Sequence, residues 1–439
     1  MQVNRIHPIR VAIIGAGLAG CEAAFQLAAK GFSVELYEMR PSKMTEAHKT
    51  DCLCELVCSN SLKSDNLYNS AGLLKSEMRL LNSLVVRTAD LYKVDAGLSL
   101  AVDRDIFSKS ITDAILSNSN IKLIRSEVAN LDHIAADFII IGTGPLTSEV
   151  FADFIKYSFG QTLYFYDAIA PIVNADTIDF DQCFFASRYD KGGPDFLNCP
   201  LNRDQFDDFY EALINAGRVA YKPFEDKRHF ESCLPIEEMA DRGKETLLFG
   251  PLKPVGLYKD GKKFYAVVQL RKENAYASAY NIVGFQTKMK YNEQMKVFRK
   301  IPALRYAEFF RLGSMHRNTY LNSPEVLGQN FSYKLDSNIY FAGALTGVEG
   351  YIESAASGLI VAYDIVTRIE SAKRLVFPVT TALNALSNYH LNYKRSNFVP
   401  TNFHFGLLPP LPEDVKDKKQ KKMHLSSRAL VDLKEFLNS

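Results

Sequence analysis

Val11-Ala12-Ile13-Ile14-Gly15-Ala16-Gly17-Leu18-Ala19-Gly20 is the stretch whose reading decides the fold. A short apolar run ends at glycines spaced G-x-G-x-x-G, and the Ala-rich residues through Ala29 have helical periodicity, so the segment reads as strand, tight turn and helix. In such a unit Gly15 allows the turn, Gly17 lets the backbone approach a pyrophosphate, and Gly20 lets helix and strand pack closely. Unpaired N–H groups at the helix start then face the phosphates. Gly31 closes the helix, and Ser33-Val34-Glu35-Leu36-Tyr37-Glu38 alternates as a second strand. Glu38 lies about twenty residues beyond the glycines, where an acid holds a ribose 2′-OH. An acid there favours an adenosine ribose without a 2′-phosphate.

Composition sets the outer limits. The 439 residues suffice for two domains with separate cores. With 47% hydrophobic and 23% charged residues the chain is ordinary for a globular protein, and a net charge of +2 makes it no polycation. Any nucleic-acid surface must therefore come from local clusters of Lys and Arg. The N-terminal residues run straight into the first strand and no apolar run is long enough for a membrane span, so a cytoplasmic location is expected. Seven unevenly spaced cysteines argue against a secreted disulfide framework.

Further along, Met39 to Asn66 is polar and turn-rich, which suits a loop over the ligand rather than a core element. The periodicity predicts a helix over Ser70 to Val85. Asp103 is placed as the N-cap of a helix through Leu116, with Ile106, Phe107, Ile111 and Ile115 on one side. Ile121 to Val128 and Asp137 to Ile141 read as strands. The second runs into Gly142-Thr143-Gly144-Pro145, either a sheet edge near the nucleotide or a plain β-turn. From about Asp167 to Pro324 aromatics are dense and βα alternation stops, which predicts a second domain inserted into the first. The first resumes at Asn338 to Gly343, followed by Gly347-Val348-Glu349-Gly350-Tyr351 and an apolar helix from Ile352 to Ile369. The start of that helix is placed to set its positive dipole end near a flavin; the alternative is a core helix whose glycines allow close packing.

Cys58 and Cys233 stand out as thiols suited to reversible addition to an electron-poor carbon, and Arg228 and His229 are near Cys233 in sequence. His48, Cys52, Cys54 and Cys58 lack paired C-x₂-C knuckles, so no metal site is expected. Two basic regions make a polyanion partner plausible: Lys416 to Lys422, and a set that includes Lys288, Lys296, Arg299, Lys300 and Arg311.

Glu55 to Ser61, Leu234-Pro235-Ile236-Glu237, Phe249-Gly250-Pro251, Val348 to Ser354 and Phe405 to Pro410 resemble signatures of the folate- and FAD-dependent tRNA (uracil-5-)-methyltransferases, the TrmFO family. The resemblance runs from the first strand almost to the end of the chain. It implies an α/β fold with a Rossmann-like FAD-binding domain, residues 1–166 and 325–439, and an inserted smaller α+β domain for substrate and RNA, residues 167–324. It also implies methylation of a uridine at C5 from 5,10-methylenetetrahydrofolate, with flavin carrying the methylene and NADH or NADPH as the electron source. The tRNA T-loop uridine is favoured, with a ribosomal RNA uridine or a non-catalytic FAD-containing RNA-binding protein as alternatives. By this likeness Cys233 matches the thiol that adds to C6 of uracil and Cys58 the second functional thiol. Glu38 and Arg40, like Gly343, Glu349 and Gly350, fall in stretches expected at the cofactor, and Tyr351 matches an aromatic near the flavin ring. Cys52 and Cys54 are thiols beyond this pattern, and Ser232 replaces an expected glycine.

Overall fold

The computed structural model describes residues 8–160, 162–219, 234–392, 398 and 400–438. Strand β1 (Arg10–Ile14), helix α1 (Leu18–Ala29) and strand β2 (Ser33–Glu38) follow one another as the periodicity predicts. They belong to a five-stranded parallel sheet in the order Ile339–Phe341, Phe138–Ile141, β1, β2, Ile121–Arg125. β1 is its centre, and Val11 to Ile14 are all buried, as a parallel sheet covered on both faces requires. This is a Rossmann-like arrangement.

A second, six-stranded sheet is antiparallel. Its central strand β3 (Ala266–Lys272) pairs with Phe196–Leu201 on one side and Ala279–Ile282 on the other. The helices Arg203–Ile214 and Tyr291–Phe298 add Phe206, Phe209, Leu213, Val297 and Phe298 to a separate core. The first core draws on residues from Val11 to Phe159 and again from Tyr320 to Leu433. Between the two cores runs an antiparallel ladder of Thr162–Ala168 with Met315–Leu321.

The returning helix α2 (Tyr351–Ser371) packs along α1. A Cβ at Gly358 would overlap the Ala19 carbonyl, so only glycine permits this approach. The last helix, α3 (Lys418–Asn438), is seated through Leu425, Ala429 and Leu433, and its first turns carry exposed Lys418, Lys419, Lys421 and Lys422. Among the described residues no helix is long and apolar enough to cross a membrane.

Three local expectations are corrected. The helix expected over Ser70 to Val85 is two, Ser70–Leu80 and Leu84–Leu91, divided at Asn82 with φ of 53°. The break is set from outside: the buried Glu22 carboxylate on α1 accepts Ser83 Oγ at 2.7 Å, Leu84 N at 3.1 Å and Val85 N at 2.9 Å, capping the second helix. Met39 to Asn66 is not wholly a surface loop, since Leu53, Cys54 and Leu56 lie in the first core and Ser61–Ser64 is a strand paired with Ser99–Val102. Ile106 is 37% exposed, and Phe107, Ile111 and Ile115 form the inward face of its helix.

Candidate active site

At the carboxyl end of β1 the glycine loop turns with Gly15 at φ of 101°, its N–H donating to Tyr37 O at 2.8 Å. A Cβ on Gly15 would lie 2.6 Å from Gly142 O, so the turn needs both the left-handed backbone and the missing side chain. Gly20 packs its Cα on the Gly15 carbonyl. Gly17 is the N-cap of α1 with no side-chain cap, and a Cβ there would meet nothing within 4 Å. Open space before an uncapped helix start is what a pyrophosphate requires. Ala16, Leu18 and Ala19 are buried behind it.

Glu38 lies at the end of β2, where its Oε2 accepts Ala16 N at 3.1 Å and its Oε1 accepts Arg40 N at 3.1 Å and Arg40 Nε at 2.9 Å. Burial alone would raise its pKa. The Arg40 guanidinium and these hydrogen bonds outweigh it, and the carboxyl is held below its usual range. A carboxylate has about four acceptor sites, so one is left for a ribose hydroxyl. Glu38 also lines an open cleft with Gly15, Met39, Val128 and Thr143. Loop, helix start, acid and cleft together fit the ADP half of FAD.

The chain returns to this loop at Gly343, where a Cβ would stand 3.2 Å from Ala19 Cβ and the N–H donates to Ser357 Oγ at 2.6 Å. Glu349 is fixed by its N–H to Thr401 O at 2.9 Å and by Asn402 Nδ2 on its carboxylate at 2.9 Å. Gly350 precedes α2, and Tyr351 is the first residue of that helix.

Tyr351 reaches Cys58. Its hydroxyl accepts Cys58 N at 2.7 Å and Ser59 N at 3.3 Å, and Cys58 Sγ lies 4.0 Å from Ala168 O. Burial, then the neighbouring thiol, push the phenol well above its usual pKa, so it keeps its proton at neutral pH. Around them stand Arg104, Arg271 and Arg311, each within electrostatic reach of Cys58 and Tyr351. Arg104 donates to Leu56 O at 2.7 Å and pairs with Glu273 at 2.7 Å. Burial opposes its charge, but the Glu273 carboxylate prevails and the guanidinium is held more firmly protonated. Arg271 Nε donates to Asn60 Oδ1 at 2.9 Å, and Arg311 donates to Ala47 O at 3.2 Å; burial and the nearby Arg104 charge lower both. The cluster joins both cores and is rich in positive charge.

Sequence reasoning missed Arg104, Arg271 and Glu273, which carry no motif or spacing. Asn60 lies within the Glu55 to Ser61 stretch and Arg311 within the second basic set, neither with a signal of its own. Cys233, Arg228 and His229 lie outside the described residues. Of the second basic set, Lys288 pairs with Glu238, Lys296 with Glu293 at 2.7 Å and Lys300 with Asp208 at 3.1 Å. Cys54 is buried beside Cys21, and His48 Nδ1 is 2.7 Å from Thr45 Oγ1. Among the described residues no group of three or more His, Cys, Asp or Glu is placed to hold a metal.

A parallel sheet, an uncapped glycine loop facing a terminal acid, and a late helix returning to that loop define a protein of the Rossmann-like, FAD-binding class. The chain belongs to the Glucose inhibited division protein A family, matched over residues 10–373, and to the TrmFO family within reach of its full length. It is 51% identical over 432 residues to methylenetetrahydrofolate–tRNA-(uracil-5-)-methyltransferase TrmFO of Natranaerobius thermophilus, covering 98% of this chain and 99% of that one. To the protein of the same name from Aquifex aeolicus it is 51% identical over 431 residues, covering 98% and 96%. Among solved structures, GidA of Aquifex aeolicus superposes with a TM-score of 0.70 at 13% identity, over 98% of this chain and 73% of that one, a likeness of fold.

Proposed function

We propose that this protein methylates C5 of a uridine in tRNA, taking the carbon from 5,10-methylenetetrahydrofolate. The observation that carries the reading is the identity of about half, over nearly all of both chains, to relatives named for that reaction. FAD, when bound, supplies the carrier and the electrons that turn the transferred methylene into methyl, and NADH or NADPH replenishes them.

The chain's own residues have the following parts. The loop from Gly15 to Gly20 and the α1 N–H groups hold the pyrophosphate, and Glu38, held by Arg40, takes a ribose hydroxyl. The Cys233 thiolate adds to C6 of uracil, which makes C5 an enolate carbon able to attack an electrophilic methylene. Cys58 is assigned the C5 proton, and β-elimination then breaks the C6–S bond and returns the thiol. Tyr351 fixes the Cys58 backbone. Arg104, Arg271 and Arg311 offset negative charge that develops on the pyrimidine oxygens. Residues 1–166 and 325–439 are read as the cofactor domain and 167–324 as the RNA-holding insert, in a cytoplasmic enzyme.

The test is incubation with methylenetetrahydrofolate, NADH and separate unmodified tRNA and ribosomal RNA transcripts, followed by nucleoside mass spectrometry. 5-Methyluridine in the tRNA arm is expected. Label in the ribosomal arm alone would move the substrate, and label in neither would overturn the enzyme.

A further inference from the structure

Outside the Cys58 cluster, one aromatic side chain is held in water at the expense of its own backbone. Tyr189 and the following Asp190 both adopt left-handed conformations, with φ of 59° and 52°. A bulky L-residue seldom sits there unless its surroundings impose it. Burial does not offset the strain, because Tyr189 is 53% exposed.

The surroundings that impose it are specific. The ring lies on Gly256, where a Cβ would be 3.0 Å from three of its carbons, and Tyr189 N donates to Gly256 O at 2.9 Å. Beneath it Arg188 Nε donates to Gln269 Oε1 at 2.9 Å, and the same guanidinium donates to the carbonyls of Lys253 and Val255. Gln269 Nε2 in turn donates to Asn198 Oδ1 at 2.9 Å, and Asn198 Nδ2 to Ala186 O at 3.0 Å. Arg188, Gln269 and Asn198 are thereby joined in one hydrogen-bonded chain. Val255 and Tyr258, 51% and 55% exposed, extend the apolar surface. The Lys191 ammonium stands over the Tyr189 ring, 5.6 Å from its centroid, and Lys262 and Lys263 are exposed in the adjoining loop, against the acids Asp190 and Asp260.

The ring's place relative to Cys58 follows from β3. Gln269 and Arg271 are two residues apart on that strand, so their side chains share one face of the sheet about 7 Å apart. Gln269 supports Arg188, while Arg271 holds Asn60, two residues from Cys58. The platform therefore flanks the Cys58 cluster along the same face.

We propose that Tyr189 is a stacking platform for an unpaired base next to the target uridine, with Lys191 meeting that nucleotide's phosphate. A half-exposed aromatic ring with a cation over it matches a nucleotide, whose phosphate can draw the ammonium off the ring while its base takes the π-face. The inference rests on the methyltransferase reading above.

The chain contains no tryptophan, so Tyr189→Trp in the full-length FAD-loaded protein places a single indole at the platform. Titration with an unmodified tRNA transcript is expected to quench its emission. Tyr157→Trp, at a side chain 94% exposed on the first core, is expected to show no such loss. Tyr189→Ala is expected to weaken transcript binding about 5- to 140-fold, the range of one base–aromatic stack, with the change falling on KM and with FAD content and unfolding midpoint retained. Tyr189→Phe restores binding, because the π-face is kept. Equal quenching at both positions, an unchanged Kd in Tyr189→Ala, or a Tyr189→Phe as weak as Tyr189→Ala overturns the platform while a methylating wild type upholds the enzyme. A wild type that binds and methylates no RNA overturns both.

Discussion

The Tyr351 hydroxyl accepts the backbone N–H of Cys58 at 2.7 Å across 293 positions of sequence. One residue at the head of α2 thereby fixes the thiol loop to the segment that returns to the glycine turn. Tyr351→Phe would leave the partly buried Cys58 and Ser59 N–H groups without this acceptor, at a cost of about 1 kcal/mol, the lower end for an unsatisfied donor. The expected outcome is a folded protein with a lowered unfolding midpoint and slower methyl transfer. Tyr351→Phe with wild-type values for both would show that the loop is held by other contacts.

Removing either thiol separates chemistry from cofactor binding. Cys233→Ala and Cys58→Ala are each expected to abolish 5-methyluridine formation while the purified protein stays yellow, because neither is assigned to the ADP half of the cofactor. Methylation at the normal rate in Cys233→Ala would mean that the nucleophile is another group.

Arg104 and Glu273 form a largely buried pair between the two cores. Replacing one partner strands the other charge, and such changes cost about 3–5 kcal/mol, whereas replacing both by apolar residues is often neutral. Arg104→Met is therefore expected to lower the denaturation midpoint sharply, and Arg104→Met with Glu273→Met to recover most of it. Activity should stay low in the double variant, because the Arg104 charge beside Cys58 is gone while only Arg271 and Arg311 remain. Additive losses of stability in the double variant would contradict the pairing.

Glu77 gives stability a pH dependence of predictable sign. Its fully buried carboxyl accepts Ala382 N at 2.8 Å and Leu383 N at 2.9 Å, and burial, only partly opposed by these bonds, pushes its pKa up to about 8. The native state then binds more protons than the unfolded chain between about pH 4.5 and 8, so this contribution is complete below the unfolded pKa and is lost as pH rises through 8. Glu22 and Glu237, also raised by burial, act in the same direction, and Glu38 acts in the opposite one. Glu77→Gln is expected to flatten the curve, with the deficit relative to wild type shrinking from pH 5 to pH 8 in denaturant titrations. A deficit that grows over that range would reverse the assignment.

What the sequence determined by itself is local. The glycine turn, α1, β2 with Glu38 at its end, the late strand before Gly343 and the helix after it were all legible, because each follows from a repeat or a backbone requirement within a few residues. Thiol chemistry could be attached to Cys58 and Cys233 only through likeness to a family. Tertiary structure alone decided the break at Asn82, which a carboxylate on another helix imposes, and the burial of Leu53, Cys54 and Leu56 under the glycine loop. It alone assembled Arg104, Glu273, Arg271 and Asn60 around Cys58, and placed Tyr189 in a left-handed turn. Those outcomes depend on which distant segments meet, and the strength of a buried charge or a strained ring is set by that meeting, for which no short stretch of sequence carries a period.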